Sequence, residues 1–162
     1  MVSKLMKSCR LATSNFNTRF SIALAALWWV SLTTIGFWVV PMLFVHLPTP
    51  SMAGGMAAKL FSAQTWVSCV CGLLLLMLSR PNQAEAPVQH AQAAIIFIVT
   101  GMLLALLAEF AVAPRIVARE NLRLWHSVGS GMYVLQWVCS ATTFWKLSGP
   151  SQRLTSPVNH QV

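Results

Sequence analysis

The chain has no aspartate, and its 162 residues carry only 3 acidic side chains, Glu85, Glu109 and Glu120. Charged residues make up 9% of it, where a soluble domain has roughly 25%. No paired-carboxylate arrangement is available for acid–base hydrolysis, and neither H-E-x-x-H nor G-x-S-x-G occurs, so a hydrolase has no support. Cysteine is scarce as well. Cys9 lies in the polar N-terminal stretch, whereas Cys69, Cys71 and Cys139 lie within apolar runs, which argues against a disulfide framework. Cys69 and Cys71 point in different directions on a helix and no C-x-x-C occurs, so these three read as small packing residues. Gly54-Gly55 lacks the preceding strand, the spacing and the Lys-Ser/Thr ending of a phosphate loop, and reads as a hairpin connection.

Long apolar runs are what the chain does have: Phe20 to Val45, Leu60 to Leu78, Ala91 to Ala113 and Leu124 to Trp145. Each suits the roughly 20 residues that an α-helix needs to cross about 30 Å of hydrocarbon. The chain is 56% hydrophobic, with a mean hydropathy of +0.65. The expected fold is all-α, an integral membrane bundle of four transmembrane helices, with a basic cytoplasmic tail at 1–19, the helical domain at 20–147 and a flexible tail at 148–162. The first run exceeds the roughly 7 to 15 apolar residues of a secretory signal and reads as a retained helix. The 11 Lys and Arg give a net charge of +8, but they sit at the ends of apolar runs, which suits lipid headgroups and not nucleic acid. More of them fall on the side of the N-tail, second loop and C-tail than on the other side. Both termini are therefore expected in the cytoplasm.

A short repeat, F-x-V-x-P, occurs at Phe37 to Pro41 and again at Phe110 to Pro114. It suggests two repeated helical hairpins related by an axis along the membrane normal. Pro41 and Pro114, which cannot donate a backbone hydrogen, would each kink or end a span on the same membrane face.

Laid side by side, the spans bring His46, Lys59, Gln64, Glu109, Arg115, Arg119, Glu120, Asn121, Arg123 and His126 to the end bearing loops one and three. Lys59, Arg119 and Arg123 suit snorkelling to headgroups. The candidate polar pocket is Glu109, Arg115, Asn121, Arg123, His126 and Gln64. Glu109 stands out, because a carboxylate among apolar neighbours calls for a cation such as Arg115, Arg123 or His126; a structural ion pair and a functional group both remain open. On the fourth run, His126, Ser130, Tyr133 and Trp137 share one helical face directed to the bundle interior, and Ser127 and Gly131 form a small-residue pair for close helix packing. The tryptophans suggest an interfacial aromatic belt.

Trp28 to Leu47 with its Pro41-Met42-Leu43-Phe44, then Ala53-Gly54, Leu60-Phe61, Phe110 to Arg115, Asn121 and Trp125-His126-Ser127, resembles the bacterial DUF4149 family, related to transmembrane protein 205. The resemblance implies a four-helix protein of the bacterial inner membrane and brings no reaction with it. A more distant likeness joins Pro41 to His46 and Trp125-His126 to the copper-resistance membrane proteins and the four-helix protoporphyrinogen oxidase. The oxidase pattern has a histidine early in its first span, where this chain has Ile22 to Trp29 without one.

The first functional reading is a non-enzymatic protein, without a cofactor, that binds or passes a small solute or ion or supports an assembly. The second is a haem- or copper-binding redox protein that uses His46 and His126, with Met42 or Met132 as soft ligands. The third is a scaffold, embedded in the lipid bilayer, whose Ser127–Gly131 surface docks a membrane partner or a second copy.

Overall fold

The computed structural model describes residues 2–79, 88–118 and 121–149, with side-chain surroundings for 16–79, 94–118 and 121–149. The expected tail at 148–162, apart from its first two residues, lies outside the described residues, as do Arg80, Arg119 and Glu120. Helix α1 (Val2–Thr33) passes through a π-helical segment, Thr34–Val39, into α2 (Val40–His46). Helix α3 (Pro50–Leu78) follows after a short turn. Helix α4 (Val88–Leu107) passes through a second π segment, Ala108–Val112, into α5 (Ala113–Val117), and α6 (Leu122–Ser148) closes the described chain.

Two boundaries differ from the sequence expectation. Residues 2–19 are helical and continuous with the rest of α1. Helix α3 starts at Pro50, ten residues before the apolar run, so Gly54 and Gly55 are helical and do not form a hairpin connection. The cause is local. Thr49 holds an extended backbone and its hydroxyl accepts the Met52 N–H, while Pro50 in the first turn has its φ preset and no N–H to satisfy.

Three helical stretches, Phe16–His46, Pro50–Leu78 and Ala94–Val117, are long and apolar enough to cross a membrane. Helix α6 is not one of them. At 27 residues it is about 40 Å long, so length is not what it lacks. Its mean apolarity is lowered by polar residues that point inward: Gln136, Ser140 and Thr143 are buried, whereas Val134, Leu135, Val138 and Trp145 are exposed.

The helices pack as a ring. α1 touches α3 and α6, and α4 touches the same two, so α1 faces α4 across one diagonal and α3 faces α6 across the other. Trp28 fills the centre at 0% exposure, in a cluster with Leu24, Ala25, Leu32, Cys71, Leu75 and Ile98. Its ring reaches α4 at Gly101, where a Cβ would stand 2.8 Å away. The tryptophans therefore divide. Trp28 is core, Trp29 and Trp137 are half-buried between α1 and α6, and Trp38, Trp66 and Trp145 face outward, so the belt accounts for only part of the set. Cys69, Cys71 and Cys139 are free and buried as packing residues.

Gly101→Val should lower the thermal midpoint in mild detergent, by the equivalent of about 1–3 kcal/mol, because the added methyls drive Trp28 from its place. Intrinsic tryptophan fluorescence on heating is the check, and Gly131→Val, at a position with open space around it, should leave the midpoint unchanged.

Candidate functional site

Polar side chains meet at the middle of the bundle. Ser31 is the middle residue of Phe16–His46 and Gln64 the middle residue of Pro50–Leu78. Gln136 lies one residue past the middle of α6, and Ser68 one turn beyond Gln64. Gln64 Nε2 donates to Ser31 Oγ at 2.9 Å and, more weakly, to Ser68 Oγ at 3.5 Å. Gln136 Nε2 donates to the same Ser68 Oγ at 2.9 Å, across the α3–α6 diagonal. One seam of two amides and two hydroxyls thus joins α1, α3 and α6 at a single level.

The hydroxyl protons settle the orientation of Gln64. Ser31 Oγ donates to the Trp28 carbonyl and Ser68 Oγ to the Gln64 backbone carbonyl, both at 2.9 Å, so each hydroxyl offers only lone pairs to the amides. The Gln64 N–H groups must point at them. Its carbonyl oxygen Oε1 then has no donor among the described residues, although Gln64 is only 2% exposed. Trp28 Nε1, equally buried, has no acceptor among the described residues. Trp29 Nε1 is likewise unpartnered among the described residues. An unpaired buried polar group costs about 1–3 kcal/mol, so the Gln64 oxygen within the seam needs a reason.

One turn toward the end bearing loops one and three, a second layer covers the seam. Tyr133 OH donates to the Leu32 carbonyl at 2.7 Å, and its ring meets Phe61 edge-on at 5.2 Å between centroids. In the same layer Ser62 Oγ donates to Glu109 Oε1 at 2.6 Å. Trp137 Nε1 donates to Thr33 Oγ1 at 2.8 Å, at the entrance to the first π segment. Both F-x-V-x-P copies fall where an α-helix widens to π geometry and narrows again, with the proline in the first turn of the helix that follows. A π segment moves backbone bonds away from the site where proline would collide, so neither helix ends there.

The pocket expected from sequence is dispersed by the fold. Gln64 lies in the seam and Glu109 on Ser62. The guanidinium of Arg115 stacks 4.3 Å above the Trp125 ring and is not the partner of Glu109. Asn121, with a left-handed backbone, and Arg123 line a surface depression of about 300 Å³ with Leu124 and Ser127. His126 is exposed, and of the face drawn through His126, Ser130, Tyr133 and Trp137 only the last two turn inward. His46 is also exposed, with Nδ1 on the Met42 carbonyl at 2.9 Å. Among the described residues no group of three or more His, Cys, Asp or Glu is placed to hold a metal. Ser127 and Gly131 face outward; the close helix approach is made by Gly129, next to Val112 and Ile116. Sequence reasoning passed over Ser31, Ser68 and Gln136. The available signal was a single neutral amide in each of the second and fourth apolar runs; that Gln64 stands at mid-helix follows only from the start of α3 at Pro50.

A double-mutant cycle of Gln136→Leu and Ser68→Ala should return a coupling of about 0.5–2 kcal/mol in reversible unfolding, because the pair shares one hydrogen bond. Ser62→Ala combined with Gln136→Leu, whose polar groups make separate hydrogen bonds, should be additive.

A family model described as a domain of unknown function, DUF4149, matches residues 23–124, more than half of the chain. No curated protein and no solved structure shows significant similarity to it.

Proposed function

The chain belongs to the DUF4149 family, and from that premise we propose a multi-pass membrane protein that binds a small neutral solute at the seam of Ser31, Gln64, Ser68 and Gln136 and passes it across the bilayer. The observation that carries this reading is the Gln64 carbonyl, buried at mid-span with no donor. Polar groups inside a membrane-spanning bundle are costly, and transport proteins concentrate them at the midplane. The seam is made of amides and hydroxyls alone, so it offers no counter-charge to an ion. A molecule that both donates and accepts hydrogen bonds, such as a small polyol or urea, would supply the donor that the Gln64 oxygen lacks among the described residues and could exchange bonds with the seam amides.

On this reading α6 is a fourth crossing. Its outward face of Val134, Leu135, Val138 and Trp145 suits lipid, and its inward polar groups are bonded within the bundle. An even number of crossings brings both termini to one side, and the distribution of basic residues favours the cytoplasm of a bacterial inner membrane. A reporter that is active only in the cytoplasm should therefore give equal signals when fused at either end; signal from the N-terminal fusion alone would leave three crossings.

The functional test is stopped-flow flux of glycerol and urea into proteoliposomes. Both solutes should enter faster than into protein-free vesicles, and Gln64→Leu should abolish the difference while the variant stays monodisperse. Gln64→Asn, which keeps an amide, should retain part of it. Flux of sodium or potassium in place of the neutral probes would overturn the neutral-solute assignment, and no flux of any probe would overturn the transport reading itself.

A further inference from the structure

We infer that Tyr133 and Phe61 form a gate that closes the amide seam from the end bearing loops one and three. The inference rests on the reading of the seam as a solute site and concerns how that site is reached. Gln64 and Gln136 are 2% and 3% exposed, so a solute reaches them only through a part of the wall that moves. Burial is uneven along the bundle. On the loop-two side of the seam, Leu24, Ala25, Trp28, Cys71, Leu75, Ile98, Cys139 and Thr143 close the interior. Toward the other end Leu32, Ala53, Ala57 and Val112 are buried among the described residues, a shorter and mostly small-residue set, and α2, α5 and the first π segment contribute none. The barrier on that side is therefore thin, and it consists of the layer that holds Tyr133.

Tyr133 lies one turn from Gln136 on α6, and Phe61 one turn from Gln64 on α3, both on the open side. The edge-on contact of their rings spans the α3–α6 diagonal directly over the seam. Tyr133 is also tied to the third helix of the seam. Its hydroxyl donates to the Leu32 carbonyl, and its ring occupies the space left by Gly36, where a Cβ would collide with it. Leu32 and Gly36 flank the point at which α1 changes to π geometry. That point is where the backbone hydrogen-bond pattern is most readily rearranged, because α and π turns differ by one residue of register. Release of the Leu32 carbonyl would remove the hydroxyl latch and leave the ring held by its packing at Gly36 and by the edge-on contact with Phe61, the latter worth about 0.5–1.5 kcal/mol. Phe61–Tyr133 is thus the movable part and the π segment its hinge.

Cys139 is a native reporter, one turn beyond Gln136 and 4% exposed. In full-length protein with the other cysteines changed to alanine, its modification by 2-aminoethyl methanethiosulfonate should be slow. Tyr133→Ala and Phe61→Ala should accelerate it at least tenfold, and Tyr133→Phe, which keeps the ring and removes only the latch, by an intermediate factor. A parallel chain with Cys71 as the single cysteine, on the same side of the seam as Cys139 but about one turn deeper, reports general loosening and should be unaffected. Equal acceleration at Cys71 would mean general loosening and would overturn the gate, as would unchanged labelling of Cys139. The readout needs no solute, so it separates failure of the gate from failure of the transport reading.

Discussion

The hydrogen bonds that Ser31 receives from Gln64 and Ser68 from Gln136 are the constraint around which the bundle is arranged. In hydrocarbon the hydrophobic effect gives helices no reason to associate, and packing and polar contacts must hold them together. A hydroxyl whose own proton is held by a backbone carbonyl can accept from two amides at once, and Ser68 does so for α3 and α6. Ser31 brings in α1 by the same chemistry. These contacts set the rotation of three helices about their axes. Once that is fixed, Trp28 must point at α4, and Gly101 is what makes room for it.

The inverted pattern of the bundle follows. Large apolar side chains such as Leu27, Val70, Leu73 and Leu103 lie outside, while the interior is narrow and rich in alanine, glycine, serine and cysteine. A soluble bundle of this kind would expose its most apolar surface to water. The same surface against acyl chains costs nothing, and most of the polar groups inside have one another, the Gln64 oxygen being an exception.

Helix positions were largely legible in the sequence because apolar runs report solvent directly. The start of α3 was not, since Thr49-Pro50 acts through capping and not through hydropathy. The site was less legible still. Glu109 and His126 drew notice because they are ionisable, yet the fold gives Glu109 a serine and leaves His126 exposed. Which face of a helix turns inward depends on its neighbours and on any change of helical register. The π segments alter the register at Thr34–Val39 and Ala108–Val112, and the F-x-V-x-P repeat marked both places without revealing their geometry. Gln64 was assigned to a pocket at one end of the bundle and Gln136 was passed over; their importance lies in standing at one height.

The inward polarity of α6 bears on how the protein is made. The insertion machinery weighs each emerging segment by its apolarity, and central polar residues count against entry. Presented alone, α6 would be a poor candidate for release into lipid. If α6 is the fourth crossing proposed above, then with α1, α3 and α4 already in place Gln136 and Trp137 find Ser68 and Thr33 waiting, and the segment that enters is effectively its apolar outer face. Biogenesis would then be cooperative, with the last helix held back until its partners can receive it, and a substitution at Ser68 would be felt first as a defect in topology.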